Sequence, residues 1–84
     1  MRVRVRFFSI LRDYVGAKEM EVDLPHGIKG AEIKDALIRE IPGMAKMAGK
    51  YQLVILVNGR VPSVRDSIKE GDEIAVMPPV SGGL

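Results

Sequence analysis

Ala31-Glu32-Ile33-Lys34-Asp35-Ala36-Leu37-Ile38-Arg39-Glu40-Ile41 is the longest stretch of this chain in which apolar residues recur at helical spacing. Ile33, Ala36, Leu37 and Ile41 share one side, which leaves Glu32, Asp35 and Arg39 for solvent. Glu32 sits near the positive end of the helix dipole, and Asp35 precedes Arg39 by four residues in the favoured acid-first order. Pro42-Gly43 terminates the pattern, and Met44, Ala45, Met47 and Ala48 follow as a soft apolar segment suited to a short helix over the core edge.

Away from this helix the main apolar pattern has period two. Val3, Val5 and Phe7 alternate with Arg2, Arg4 and Arg6, and Met20, Val22 and Leu24 alternate with Glu19, Glu21 and Asp23, so both segments read as half-buried strands. Between them, Ile10 to Val15 suits a single helical turn closed by Gly16. Pro25 and Gly27 stop the second strand. Leu53 to Val57 is a continuous apolar run, expected to be covered on both faces. Asn58-Gly59 is a two-residue hairpin signal, because both residues tolerate positive φ. Arg60-Val61 can pair back briefly before Pro62 removes an amide donor. Glu70-Gly71-Asp72 is another reversal, and Glu73 to Met77 closes the chain's last strand with Ile74 and Val76 inward.

The order strand, strand, helix, strand, short strand, strand is most economically an α+β fold. A mixed sheet of about five strands clasps one main helix, the β-grasp or ubiquitin-like arrangement. The domain is expected over residues 1–77, with 78–84 as a flexible tail. The whole chain of 84 residues, 46% hydrophobic and 29% charged, has room for one modest core and none for a separate catalytic domain.

Composition excludes several functions. There is no cysteine, so disulfides, thiolate metal sites and cysteine nucleophiles are ruled out. A net charge of +2 with interspersed signs argues against nucleic acid as the main partner. Leu53 to Val57 is far too short to span a membrane, and the N-terminus alternates arginine with valine instead of forming a signal peptide. A cytoplasmic protein without a membrane partner is the expectation. No convincing set of acids, bases or metal ligands stands out, and His26, in a Pro-His-Gly loop without nearby acids, reads as neither ligand nor base.

The tail carries the functional signal. Pro78 and Pro79 fix φ near the polyproline value, Val80 and Ser81 follow, and Gly82-Gly83 then precede Leu84. A diglycine can enter a channel too narrow for any Cβ. At a chain end, two glycines serve no turn between elements, so the segment reads as a reactive tail threaded into another protein, with fraying as the plain alternative.

Val57-Asn58-Gly59 and the run from Ile68-Lys69-Glu70-Gly71-Asp72 through Met77-Pro78-Pro79-Val80-Ser81-Gly82-Gly83 resemble the second half of the small subunit of molybdopterin synthase, the MoaD type. Val5-Arg6-Phe7-Phe8 and Leu11-Arg12 are similar to that family's opening strand and the turn after it. The resemblance implies a non-catalytic sulfur donor that binds no cofactor of its own. An adenylating enzyme related to ubiquitin activators consumes ATP to convert the Gly83 carboxylate to an acyl-adenylate, and sulfur then replaces AMP. The thiocarboxylate enters the large synthase subunit and donates sulfur to a cyclic pyranopterin, on the way to the molybdenum or tungsten cofactor. Pro78, Pro79, Val80, Ser81 and Gly82 would form the inserted segment. Leu84 departs from the family pattern, which ends at the second glycine. Trimming by a processing metalloprotease is the favoured explanation, against an inactive paralogue.

The partner-binding face is expected on the sheet, continuous with the tail, with Phe7, Phe8, Val57 and Met77 as candidate anchors. The arginine stripe reads first as a solvated face and second as a dock for an acidic partner. Two further readings of the chain stay open. One is a ubiquitin-like modifier joined through Gly83 to lysines of other proteins, and the other is a structural or RNA-binding β-grasp module. Thiamine-pathway carriers share the fold, but Pro78-Pro79-Val80 resembles the pterin branch better.

Overall fold

In the computed structural model, residues 1–79 are described; Val80, Ser81, Gly82, Gly83 and Leu84, which carry most of the expected tail, lie outside them. The elements run β1 (Arg2–Phe7), α1 (Leu11–Val15), β2 (Glu19–Asp23), a single 3₁₀ turn (Gly30–Glu32), α2 (Ile33–Glu40), α3 (Met44–Lys50), β3 (Val54–Val57) and β4 (Glu73–Met77). The sheet order is β2-β1-β4-β3. β1 and β4 are parallel, and the two outer pairs are antiparallel. The helix-bearing crossover from β2 to β3 joins the two edges of the sheet, and the helices lie over one of its faces. This is the β-grasp.

The core forms where the two periodicities meet. Val3, Val5 and Phe7 from β1 and Ile74 and Val76 from β4 face Ile33, Ala36 and Leu37 of α2 and Met44 and Met47 of α3, all essentially inaccessible to solvent. Met44 and Met47 are core filler, which unbranched thioethers suit. The first turn of the expected helix is 3₁₀, with the Glu32 carboxylate accepting from the Lys29 backbone N–H at 2.9 Å, and α2 proper begins at Ile33.

The turns follow their residues. Asn58 (φ 50°) and Gly59 (φ 81°) both adopt the left-handed region, as a two-residue hairpin of this twist requires. Val57 and Arg60 exchange backbone hydrogen bonds of 2.7 and 3.1 Å across it. The Asn58 side chain clasps the next reversal: its amide donates to the Asp72 carboxylate at 3.1 Å and its carbonyl accepts from the Glu73 N–H at 3.0 Å.

Three expectations are corrected. The sheet has four strands rather than about five, because pairing after the hairpin stops at one Val57–Arg60 bridge. Val61 leaves the sheet, 77% exposed, and Pro62 has no N–H with which to continue the ladder. Leu53 to Val57 is not covered on both faces, since β3 is an edge strand with every residue only half-buried. Phe7 is not a surface anchor: at 1% exposure it is part of the core.

Candidate functional site: the outer sheet face at the root of the tail

The sheet face turned away from the helices divides into a charged half and an apolar half. In the charged half, the β1–β2 register sets Arg2, Arg4 and Arg6 opposite Asp23, Glu21 and Glu19. Arg2 pairs with Glu21 (3.4 Å) and Asp23 (3.2 Å), Arg4 with Glu19 (3.9 Å), and Arg6 with Glu19 (3.8 Å) and with Glu73 of β4 (4.0 Å). The hydrogen bond and charge of Asp23, with Glu21 adding, raise the Arg2 guanidinium above its ordinary value. The side chains are about half exposed, so each pair contributes little to stability. Their consequence is that the arginine stripe is answered within the molecule.

The apolar half begins where β4 leaves Glu73. The β3–β4 register places Leu56 beside Ala75 and Val54 beside Met77. These positions alternate with core-facing Ile74, Val76 and Ile55, so they point to the face away from the helices, where each is half-buried. Phe8 extends β1, its N–H donating to the Val76 carbonyl at 3.2 Å. Opposite in phase to Phe7, it lies on the outer face, with the Arg6 guanidinium 5.4 Å from its ring centroid. Met77 leads directly to half-buried Pro78 and exposed Pro79.

Of the four anchor candidates, Phe8 and Met77 therefore stand on the outer face beside the tail's root. Phe7 belongs to the core, and Val57 pairs with Ile74 on the inner side at the opposite end of the sheet. Val54, Leu56 and Ala75 were missed. A continuous apolar run carries no phase of its own, and only the register against β4 reveals which of its residues face outward. Of the tail, Pro78 and Pro79 are described and Val80 to Leu84 are not.

Beside α1 and α3, Ile10, Asp13, Tyr14, Lys46 and Tyr51 line an open hollow of about 490 Å³. Tyr14 and Tyr51 meet edge to face at 6.0 Å. The side-chain interaction with Tyr14, and burial after it, raise the Tyr51 phenol above its ordinary value. His26 is exposed in its loop. Among the described residues no group of three or more His, Cys, Asp or Glu could hold a metal ion, and no helix is long and apolar enough to cross a membrane. What the described residues present here is an apolar half-face leading into Pro78 and Pro79.

Comparison with known proteins agrees across almost the full length. The molybdopterin synthase sulfur carrier subunit of Drosophila simulans is 34% identical over 86 residues, covering 99% of this chain and 92% of that protein. The structure of the complex of subunits 1 and 2 of the molybdopterin-converting factor from Helicobacter pylori contains a chain 25% identical to this one, with a TM-score of 0.64 over 99% of this chain and 100% of that one. Small archaeal modifier protein 1 from Methanosarcina acetivorans is 26% identical, with a TM-score of 0.63 over 98% of this chain and 96% of that one. A family model matches residues 5–83, and the chain belongs to the ThiS family.

Proposed function

We propose that this protein is the sulfur-carrying small subunit of a molybdopterin synthase, working in the cytoplasm. The observation that carries the reading is a half-buried apolar half-face, not covered by any other described residue, that runs through Met77 into Pro78-Pro79, with Val80-Ser81 and then Gly82-Gly83 next in the sequence. The full-length likeness to molybdopterin synthase sulfur carrier subunits supports it, as does the likeness to a chain in the Helicobacter pylori complex.

In this reading the Gly83 carboxylate attacks the α-phosphate of ATP within an adenylating enzyme, and pyrophosphate leaves. Sulfide then attacks the acyl carbon, AMP departs with the oxygen of the acyl–phosphate bond, and a thiocarboxylate remains. The apolar half-face docks on the large subunit while the tail threads into its active site, where the sulfur passes to the pterin. The carrier supplies no acid, base or metal. Pro78 and Pro79 contribute by lowering the entropy lost when the tail is ordered.

The test is thiocarboxylate formation with the cognate adenylating enzyme, ATP and a sulfur source, read by intact mass as one oxygen exchanged for sulfur. A chain ending at Gly83 is expected to be charged directly, and the chain carrying Leu84 to wait for a protease. Replacing Gly83 by alanine in the chain ending there should leave the fold intact and suppress sulfur transfer, because the new Cβ meets a channel shaped for bare backbone. No thiocarboxylate on the chain ending at Gly83, with an enzyme proven active on another carrier, would sink the reading.

The likeness to small archaeal modifier protein 1 favours one second reading, conjugation through Gly83 to lysines of other proteins. Isopeptide-linked ladders in the native cell, absent when Gly83 is replaced, would establish it.

A further inference from the structure

The two edges of the sheet are built differently. On β2, the Phe7 N–H bond to the Lys18 carbonyl (2.8 Å) and the Leu24 N–H bond to the Met1 carbonyl (2.7 Å) fix the alternation. The outward-facing backbone groups are thus those of Glu19, Glu21 and Asp23. Each of these residues carries a carboxylate, and charge along an edge discourages another strand from pairing there.

On β3, the Asn58 N–H donates to the Glu73 carbonyl at 2.7 Å, so Leu56 and Val54 also turn their backbone groups toward β4. Ile55 and Val57 turn theirs away. Those of Val57 are taken up by Arg60 across the hairpin. Among the described residues, the backbone groups of Ile55, and of Leu53 one step before it, meet no partner. No charged residue stands between Lys50 and Arg60. The edge is therefore short, apolar and unguarded, and Pro62 keeps the chain's own return segment from covering it.

We propose that this edge receives an extended apolar segment of the protein that accepts the tail, which adds to β3 as the sheet's fifth strand. The identity of that occupant rests on the sulfur-carrier reading. The argument for it is position: Val54 lies beside Met77, the residue before Pro78, so a strand added to β3 runs about 10 Å from β4 at the point where the tail begins. Whatever holds the tail is already there. Leu53 and Ile55 would supply main-chain hydrogen bonds. Alternate side chains of the incoming segment would lie beside Val54 and Leu56, widening the apolar half-face.

The test uses the assembled complex with a molybdopterin synthase large subunit. In the free protein the Leu53 and Ile55 amides should exchange rapidly with solvent deuterium, while those of Val54 and Leu56 exchange slowly. In the complex, protection of Leu53 and Ile55 should rise by about tenfold or more. Ile55→Pro removes the outward N–H without breaking a bond to β4, and edge strands tolerate proline. It should bind about tenfold more weakly than Ile55→Ala, which also loses the side chain but keeps the N–H.

Unchanged exchange at Leu53 and Ile55 in a complex that still transfers sulfur would overturn the proposal and leave the carrier reading standing. Protection that rises with the protein's own concentration, without the large subunit, would overturn it in favour of a second copy of this chain. Where Ile55→Pro fails to fold, exchange in the unaltered protein decides alone. Absence of any thiocarboxylate would instead defeat the carrier reading, and the choice of occupant with it.

Discussion

Phe7 and Phe8 are adjacent and chemically identical, yet their truncation should have opposite consequences. Phe7 is 1% exposed in the core, and Phe→Ala at such a site costs roughly 3–5 kcal/mol. A chain of 84 residues holds roughly 4–13 kcal/mol in total, so Phe7→Ala removes about a quarter or more of it. Phe8 is half-buried on the outer face beneath Arg6. Its truncation forfeits about 1 kcal/mol of burial and about 0.5–1 kcal/mol of cation–π attraction. With a urea m-value of about 1 kcal/mol per molar, the unfolding midpoint should fall by roughly 3–5 M for Phe7→Ala and by about 1.5–2 M for Phe8→Ala. Binding to the large subunit, followed by calorimetry under conditions where both variants are folded, should separate them the other way. Phe8→Ala should weaken assembly by about 1–2 kcal/mol, roughly five- to thirtyfold, with Phe7→Ala near neutral. Equal destabilisation by the two variants would refute the assignment of faces, and normal binding by Phe8→Ala would refute the docking surface.

Asn58→Ala should cost about 1–3 kcal/mol in thermal or chemical unfolding, because it puts a Cβ-bearing residue of ordinary preference at φ 50° and breaks the bonds to Asp72 and Glu73. Asn58→Gly should recover the backbone part of that loss. Gly43→Ala should cost about 2 kcal/mol or more, since φ is 93° and the new Cβ would press on the Tyr14 carbonyl oxygen. Near-ultraviolet circular dichroism of the tyrosines should change with it as α1 and α3 move apart. For Tyr51 the folded-state value lies above the unfolded one, so its contribution is fully present below about pH 10 and is lost as pH rises through the folded value. Tyr14→Phe removes the principal cause, and tyrosinate absorbance should then show Tyr51 ionising at lower pH.

The alternations Val3-Val5-Phe7, Ile74-Val76 and Ile33-Ala36-Leu37 were legible because half-burial writes its period into the sequence. The hairpin at Asn58-Gly59 was legible because its turn demands positive φ twice. Leu53 to Val57 misled for a physical reason. An apolar run is the signature of a strand covered on both faces, but it also describes an edge strand with one face on the core and the other left open. Phe7 and Phe8 could be phased relative to each other but not assigned, since exposure depends on which side the helices cover. The ion-pair ladder was half legible: the arginines and the carboxylates each announced themselves, but their pairing depends on the register of β1 against β2, which the α1-bearing connection between them leaves open.

The strand order explains why the charged and apolar halves of the outer face do not mix. β2 and β3 occupy opposite edges, so the carboxylates of β2 can reach only β1, and the apolar side chains of β3 can reach only β4. Glu73, at the start of β4, closes the charged half by taking Arg6 from the other side, and beyond it Ala75 and Met77 carry the surface toward the tail. Three guanidiniums thus face four carboxylates within the protein, those of Glu19, Glu21, Asp23 and Glu73. An acidic partner recruiting these arginines would first have to displace ion pairs already made, so the ladder offers it little net attraction. Open apolar surface, by contrast, gains by being covered whatever the partner's charge. On the proposed reading, in which the tail visits both an adenylating enzyme and a large subunit, an apolar docking surface on β4 and β3 would serve both partners alike. The internally neutralised ladder would then border that surface as a polar rim.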